Sequence, residues 1–344
     1  MSEKNSKRKS KPIIGISIGD INGIGPEIII KALDDPRLTS YCTPLIYANG
    51  SIISYYRKAF NRHNFNFYQT KDFDNLNHKK VNVFNTWDEK VDITPGESNK
   101  NGGLYAIKSL ERAVEDLKAE KIHALVTAPL SKELVIEAGF DFPGHTEYLA
   151  NASGIAENLM MMVLDQLKIA VVTGHIPVEA IKGQLTHELI TTKLEIMLKS
   201  LKQDFQIKKP KIAVLGLNPH AGENGKIGKE DQAVILPVID KIKERGELIF
   251  GPFPADGFFG SSQHRNFDGV LAMYHDQGLI PFKILSQGEG INFTAGLPVI
   301  RTSPAHGTAY NLAGKDLADS TSMLNSIFLA IDLAKQKFGY LKDD

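Results

Sequence analysis

The chain has one cysteine, Cys42, in 344 residues, which excludes an intrachain disulfide framework and any multi-cysteine metal site. Set between Tyr41 and Thr43 ahead of a short apolar run, Cys42 reads as a packing residue rather than a nucleophile. Net charge is also missing. With Lys+Arg and Asp+Glu at 40 each, there is no electrostatic case for a nucleic-acid or anionic-membrane partner. No apolar run approaches the ~20 residues of a membrane span. The polar, basic start from Met1 to Lys11 lacks the apolar core of a secretory signal. The expectation is a cytoplasmic protein with a disordered tail over 1–11 and neither a membrane nor a nucleic-acid partner. Internal repeats are absent, as are the dinucleotide fingerprint G-x-G-x-x-G and a phosphate loop ending in Lys-Ser/Thr.

What is present is a globular chain longer than one comfortable core, so one large or two medium domains are expected. Ile13, Ile14, Ile16 and Ile18 form a first strand that runs into Gly19-Asp-Ile-Asn-Gly-Ile-Gly25. Pro26 and Glu27 then open a helix. The glycine-rich turn is either a tight strand-to-helix connection or an anion contact at a helix N-terminus. Strands near 45–48, 81–84 and 124–128 alternate with helices, one of them from Gly102-Gly103 to about Glu120 with a core stripe of Leu104, Ile107, Leu110, Val114 and Leu117. Residues 160–164 and 168–172 read as a hairpin about Asp165-Gln166. Further strands at 211–217, 248–250 and 270–274 and helices over 186–205, 229–246 and 319–337 complete an α/β pattern with mainly parallel strands.

The stretch Asp268-Gly-Val-Leu-Ala-Met-Tyr-His-Asp-Gln-Gly278 shows how polar groups are delivered: an apolar strand ends abruptly in His275, Asp276 and Gln277, and Gly278 reads as a turn. His175 and His220 also follow apolar strands, within one to three residues, in Gly- or Pro-containing turns. Taken singly, each is more often a structural or capping residue. Converging at one strand-end crevice, the three would form an open divalent-metal site acting as a Lewis acid, and neutral imidazole suits Zn, Co, Ni or Fe better than Mg. Lys283 and Arg301, flanking Gly288-Glu-Gly-Ile-Asn292, are either solvated surface cations or anion-binding groups, with Thr146 and Asn292 as hydrogen-bond donors. His145 opens a helix and reads as either a cap or a functional residue.

Several of these segments together resemble the 4-hydroxythreonine-4-phosphate dehydrogenase family of pyridoxal phosphate biosynthesis. They are Gly19-Asp with Gly23-Ile-Gly-Pro-Glu27, Gly144-His-Thr-Glu147, Thr173-Gly-His175, Leu217-Asn-Pro-His-Ala-Gly-Glu223, Tyr274-His-Asp-Gln-Gly278 and Gly296-Leu-Pro with Ile300-Arg-Thr302. The resemblance runs from the first strand to the last helix. It implies an α/β fold of two domains, an α/β/α sandwich of the isocitrate/isopropylmalate-dehydrogenase-like type with the active site in a cleft between them. Residues 12–130 plus 290–344 would form the first domain, and 131–289 the second, carrying the dimer interface and most metal ligands.

It further implies a homodimer and a divalent metal (Zn, Co or Mg) held by His175, His220 and His275 across the subunit interface. Substrate contacts carry over to His145, Thr146, Lys283, Asn292 and Arg301. NAD or NADP would lie against His306, Gly307, Thr308, Ala309, Asn311 and Gly314, which explains the missing dinucleotide fingerprint. Departures from the family pattern fall at Ile21-Asn22, Glu289, Phe293 and Ala295.

The implied reaction is metal-dependent oxidation of 4-phosphohydroxy-L-threonine to 2-amino-3-oxo-4-phosphooxybutanoate, which decarboxylates to 3-amino-2-oxopropyl phosphate. His145, Asp256 and Asp276 are the candidates for proton transfer or for orienting ligands. Relatives acting on phospho-D-threonate, phosphoerythronate or a dihydrodiol are alternatives within the family. A metal-dependent phosphosugar hydrolase or aldolase and a non-catalytic anion-binding regulator are alternatives outside it.

Overall fold

The computed structural model describes residues 11–142 and 144–340. The expected tail over 1–11 therefore lies, apart from Lys11, outside the described residues. Twelve strands follow in chain order: β1 Ile13–Ser17, β2 Thr43–Ala48, β3 Phe67–Thr70, β4 Val81–Asn85, β5 Ala124–Thr127 and β6 Leu159–Leu164, then β7 Leu167–Thr173, β8 Lys211–Leu215, β9 Leu248–Phe253, β10 Gly269–Tyr274, β11 Ile291–Ala295 and β12 Arg301–Pro304. The chain divides into two compact units, one of residues 1–149 and 299–344, the other of 150–298. The first boundary falls past the helix start at His145, so His145 and Thr146 belong to the first unit.

In the first unit every strand pair is parallel, in the order β3-β4-β2-β1-β5-β12. The continuous apolar runs of β1, β2 and β5 are buried, as strands covered on both faces must be. The helix Lys100–Lys118 packs on β1, β2 and β5, and the helix Thr321–Phe338 packs on β5 and β12. The first of these begins before the two glycines, capped by Asn99, whose side chain accepts the Gly102 N–H. Gly102 and Gly103 lie inside it because Asp20 and the Leu134 backbone approach where side chains would stand. At Gly19, φ is +69° and a Cβ would meet the Pro129 carbonyl at 2.3 Å, so β1 can leave the sheet there only through glycine.

The second unit orders its strands β11-β6-β7-β10-β8-β9. The expected hairpin is there: β6 pairs antiparallel with β7, and Asp165 turns the corner at φ +46°. The strands β7, β10, β8 and β9 run parallel. Three local expectations need correction. The strand read as 248–250 continues to Phe253, paired with β8 across a bulge. The helix read as 229–246 begins as a π turn over Asp231–Ile235, where Pro237 has no N–H for the usual ladder, and becomes α-helical over Leu236–Lys243. Gly278 is not a turn. It lies inside the helix His275–Ser286, where a Cβ would come within 3.1 Å of Ala272, Ile169 and Val171, so its bare Cα seats the helix on β7 and β10.

Candidate active site

The strands β7, β10 and β8 are neighbours pointing the same way, so the segments following them leave the same end of the second unit's sheet. His175 lies two residues beyond β7 and His275 directly follows β10; their ring centroids are 5.5 Å apart. Two imidazoles sharing one ion place their centroids about 5 Å apart, given Zn–N distances near 2 Å. The pair therefore suits a common ion. The His275 Nδ1 lies 2.7 Å from Asp276 Oδ1. That partner orients the ring and leaves Nε2 as the nitrogen that could ligate an ion.

His220 lies five residues beyond β8, further than expected, because β8 ends at Leu215. There the backbone takes a left-handed course, with φ of 54°, 49°, 76°, 41° and 55° at His220, Ala221, Gly222, Glu223 and Asn224. The four non-glycine residues resist this conformation, so something else must hold the loop. Buried Asp231 supplies part of the hold. Its carboxylate accepts the Leu217 N–H at 2.7 Å and the Asn218 side-chain amide at 2.8 Å. Glu230 accepts from the same amide and pairs with Lys182, and the Lys182 hydrogen bond is the first cause lowering its carboxyl to about 2. Among the described residues, no three His, Cys, Asp or Glu side chains within this chain form a group that could hold a metal ion. The structure joins His175 with His275 and keeps His220 outside such a set.

Asn292 and Lys283 lie elsewhere in this unit. Asn292 in β11 pairs with Met162 of β6, and Met162 with Ile169 of β7. Ile169 precedes Thr173 by four residues, which at 3.3 Å per residue puts Asn292 about 13 Å back along the strands from the histidine end. Its Oδ1 is buried without a protein partner, the sort of atom a ligand would satisfy. Lys283 is exposed, two turns along the helix from His275. Asp256 is exposed in the first turn of the helix Ala255–Gly260.

In the first unit, Arg301 on β12 is 3% exposed, and its Nε and Nη2 donate to Thr127 Oγ1 at 3.0 and 2.8 Å. Burial lowers the guanidinium to about 10, opposed by Glu147, so the cation persists at neutral pH. Burial, and then the positive charges of Arg301 and Lys132, hold the His145 imidazole well below the ordinary histidine value, so it is neutral. Thr146 follows it, half-buried, in the helix His145–Ala152.

Burial, named first in each case, also lowers His123, His264 and His306. A histidine depressed on folding binds fewer protons folded than unfolded. Its contribution to stability is therefore present above the unfolded value near 6.5 and is lost as pH falls through it. In chelator-treated protein, the urea midpoint should fall between pH 7.5 and 5.5. A midpoint constant over that range would contradict these four neutral imidazoles. Asp20, raised by burial against its hydrogen bonds to Tyr310 and the Asn22 and Gly23 backbone, acts in the opposite sense at lower pH.

The segment from His306 to Gly314 is docked on the first glycine-rich loop. The Ile24 N–H donates to the Thr308 carbonyl at 2.9 Å, and the Tyr310 hydroxyl to Asp20 Oδ2 at 2.6 Å. Gly314 has φ +76°, and a Cβ there would lie 2.7 Å from Pro95. His306 Nε2 is buried without a protein partner. Asn22, one of the departures from the family pattern, is fully buried, accepts the Thr94 N–H and donates to Asn99. Cys42 is buried, and burial pushes its thiol up to about 12, as a packing role requires. Sequence reasoning missed Thr127, Lys132 and Asp231. Of these Lys132 carried a signal, standing a few residues beyond a buried strand, as the histidines do.

These features define an α/β protein with a histidine pair at parallel strand ends in one unit and a buried arginine beside a neutral histidine in the other. The family model for the Pyridoxal phosphate biosynthetic protein PdxA matches residues 40–330, and the chain belongs to that family. The chain is 45% identical to a 4-hydroxythreonine-4-phosphate dehydrogenase of Bacteroides thetaiotaomicron, over 96% of this chain and 90% of that one. It is 39% identical, over 95% and 99%, to an Oceanobacillus iheyensis protein named for D-threonate 4-phosphate dehydrogenation. The crystal structure of a Klebsiella pneumoniae 4-hydroxythreonine-4-phosphate dehydrogenase matches with TM-score 0.80 and 33% identity, covering 94% of this chain and all of that one.

Proposed function

We propose that the chain oxidises 4-phosphohydroxy-L-threonine with NAD or NADP to 2-amino-3-oxo-4-phosphooxybutanoate, which loses CO2 to give 3-amino-2-oxopropyl phosphate. The 45% identity to the Bacteroides enzyme across nearly the whole of both chains carries this reading. A divalent ion on the imidazoles would supply Lewis acidity toward the secondary alcohol, and the nicotinamide would accept hydride. Buried Arg301 offers a directional cation to one anionic end of the substrate, and Lys283 a mobile one to the other. Thr146 and Asn292 fix orientation between them. His145, kept neutral, would hydrogen-bond the substrate or receive the alcohol proton only as it is passed on, while Asp276 serves His275 as its orienting partner. His306, Gly307, Thr308, Ala309, Asn311 and Gly314 would hold the cofactor, and the unpartnered His306 Nε2 supports this assignment.

The reading includes a homodimer. Two observations support it: Asn292 lies about 13 Å along the strands from the histidine end of its own unit, and the helix bearing Lys283 exposes Ile280, Ile284 and Leu285 at 56%, 68% and 42%. An exposed apolar strip of this kind marks an interaction surface. Ile284→Lys should convert the dimer to monomer in size-exclusion chromatography and abolish turnover; a variant that stays dimeric and fully active would remove the strip from the interface. Among the described residues no helix is long and apolar enough to cross a membrane.

The test of function is the absorbance of reduced nicotinamide with 4-phosphohydroxy-L-threonine and D-threonate 4-phosphate, each with NAD and NADP. The Oceanobacillus relative makes the second substrate the competing reading. Turnover of that substrate alone would replace the first. Cleavage of a phosphorylated substrate without nicotinamide reduction would reassign the chain to a hydrolase or aldolase.

A further inference from the structure

Strands β8 and β10 pair from Ile212 with Gly269 to Val214 with Leu271, and then the ladder stops. On its other side β10 stays paired with β7 as far as Tyr274 with Thr173, and the Thr173 hydroxyl donates to the Met273 carbonyl at 2.8 Å. The gap beyond Val214 and Leu271 is bridged by one side chain. Gln277 Oε1 accepts the Met273 N–H at 2.7 Å, while its Nε2 donates to the Gly216 carbonyl at 2.6 Å. The next N–H along, of Leu217, is held by Asp231.

We propose that Gln277 is a positioning residue: a wedge that replaces the missing ladder bonds and sets the separation of the strand ends carrying His275 and His220. An amide suits this task because it gives and accepts one hydrogen bond at a fixed span. The bonds made by Thr173 and Asp231 extend the brace outward on both sides, so a contiguous chain of hydrogen bonds crosses the three strand ends from which His175, His275 and His220 emerge. Partners that orient metal ligands in this way change affinity without touching the ion. The inference rests on the metal reading above.

The test is Co2+ binding to the purified full-length protein, read from cobalt visible absorption and chelator competition, alongside thermal melting. Gln277→Glu keeps an acceptor for Met273 but sets an oxygen against the Gly216 carbonyl. Co2+ affinity should fall about 10- to 100-fold with an altered absorption band, while melting remains cooperative. If Gln277→Glu fails to fold, Thr173→Val, which loses the hydroxyl bond, should weaken Co2+ binding, and Thr173→Ser should restore it. Unchanged Co2+ affinity and spectrum in a folded Gln277→Glu, whether or not the melting temperature drops, would overturn the positioning role alone. Should Gln277→Glu not fold, the same follows if Thr173→Val binds Co2+ as the wild type does. A wild-type chain that takes up no Co2+ would overturn the metal reading and this inference together.

Discussion

Arg301→Met is expected to lower kcat/KM about a thousandfold, or ~4 kcal/mol of transition-state stabilisation. The guanidinium is almost wholly buried and anchored by two bonds to Thr127 Oγ1, so it would meet an anion with little water to screen the interaction and with its geometry already set. Methionine fills similar volume without the charge. The substitution also returns His145 toward an ordinary histidine by removing one of the two cations that depress it. The acidic limb of the pH profile should therefore move upward together with the loss of rate. Steady-state kinetics against pH, with circular dichroism as a folding control, measure both. A loss below tenfold would leave Arg301 as a structural cation of β12.

Mixing two inactive variants should restore activity. His275→Ala removes one of the paired imidazoles, and Asn292→Ala removes an amide that lies about 13 Å away along the strands of the same unit. If each site draws its imidazoles from one subunit and Asn292 from the other, a hybrid dimer contains one wholly intact site and one doubly damaged site. Random exchange makes half of the dimers hybrids, so about a quarter of wild-type activity should return. Each parent alone should stay at least a hundredfold down. No recovery after exchange demonstrated by mass spectrometry would mean that one subunit supplies both groups.

The buried strands could be read from their apolar runs, as could the β6–β7 hairpin, because burial on both faces is a local demand on residue type. The strand β3 could not. It is the short edge strand Phe67–Thr70, largely exposed, paired among the described residues with β4 alone. The neighbouring ends of β7 and β10 made His175 and His275 legible as a pair. The distance of His220 from its strand was underestimated because β8 stops at Leu215, where Asp231, sixteen residues further on in a different element, takes the Leu217 N–H. Gln277 looked like one more polar residue after a strand. Its role depends on a gap in strand pairing, which nothing in its own neighbourhood encodes. Likewise Gly278 reads as a turn until the β7 side chains packed against it are seen.

The left-handed course of His220 to Asn224 bears on how portable the Asn-Pro-His-Ala-Gly-Glu segment is. For L-residues each left-handed position costs roughly 1–2 kcal/mol, and here four of the five positions are not glycine. A free peptide of this sequence would relax to other conformations. Grafted onto another scaffold without Asp231 and Glu230 in register to hold its Asn218, it would carry the histidine but not its placement. The recognisable string of letters is thus a dependent part of the second unit, and the instruction that shapes it is written in the helix that follows.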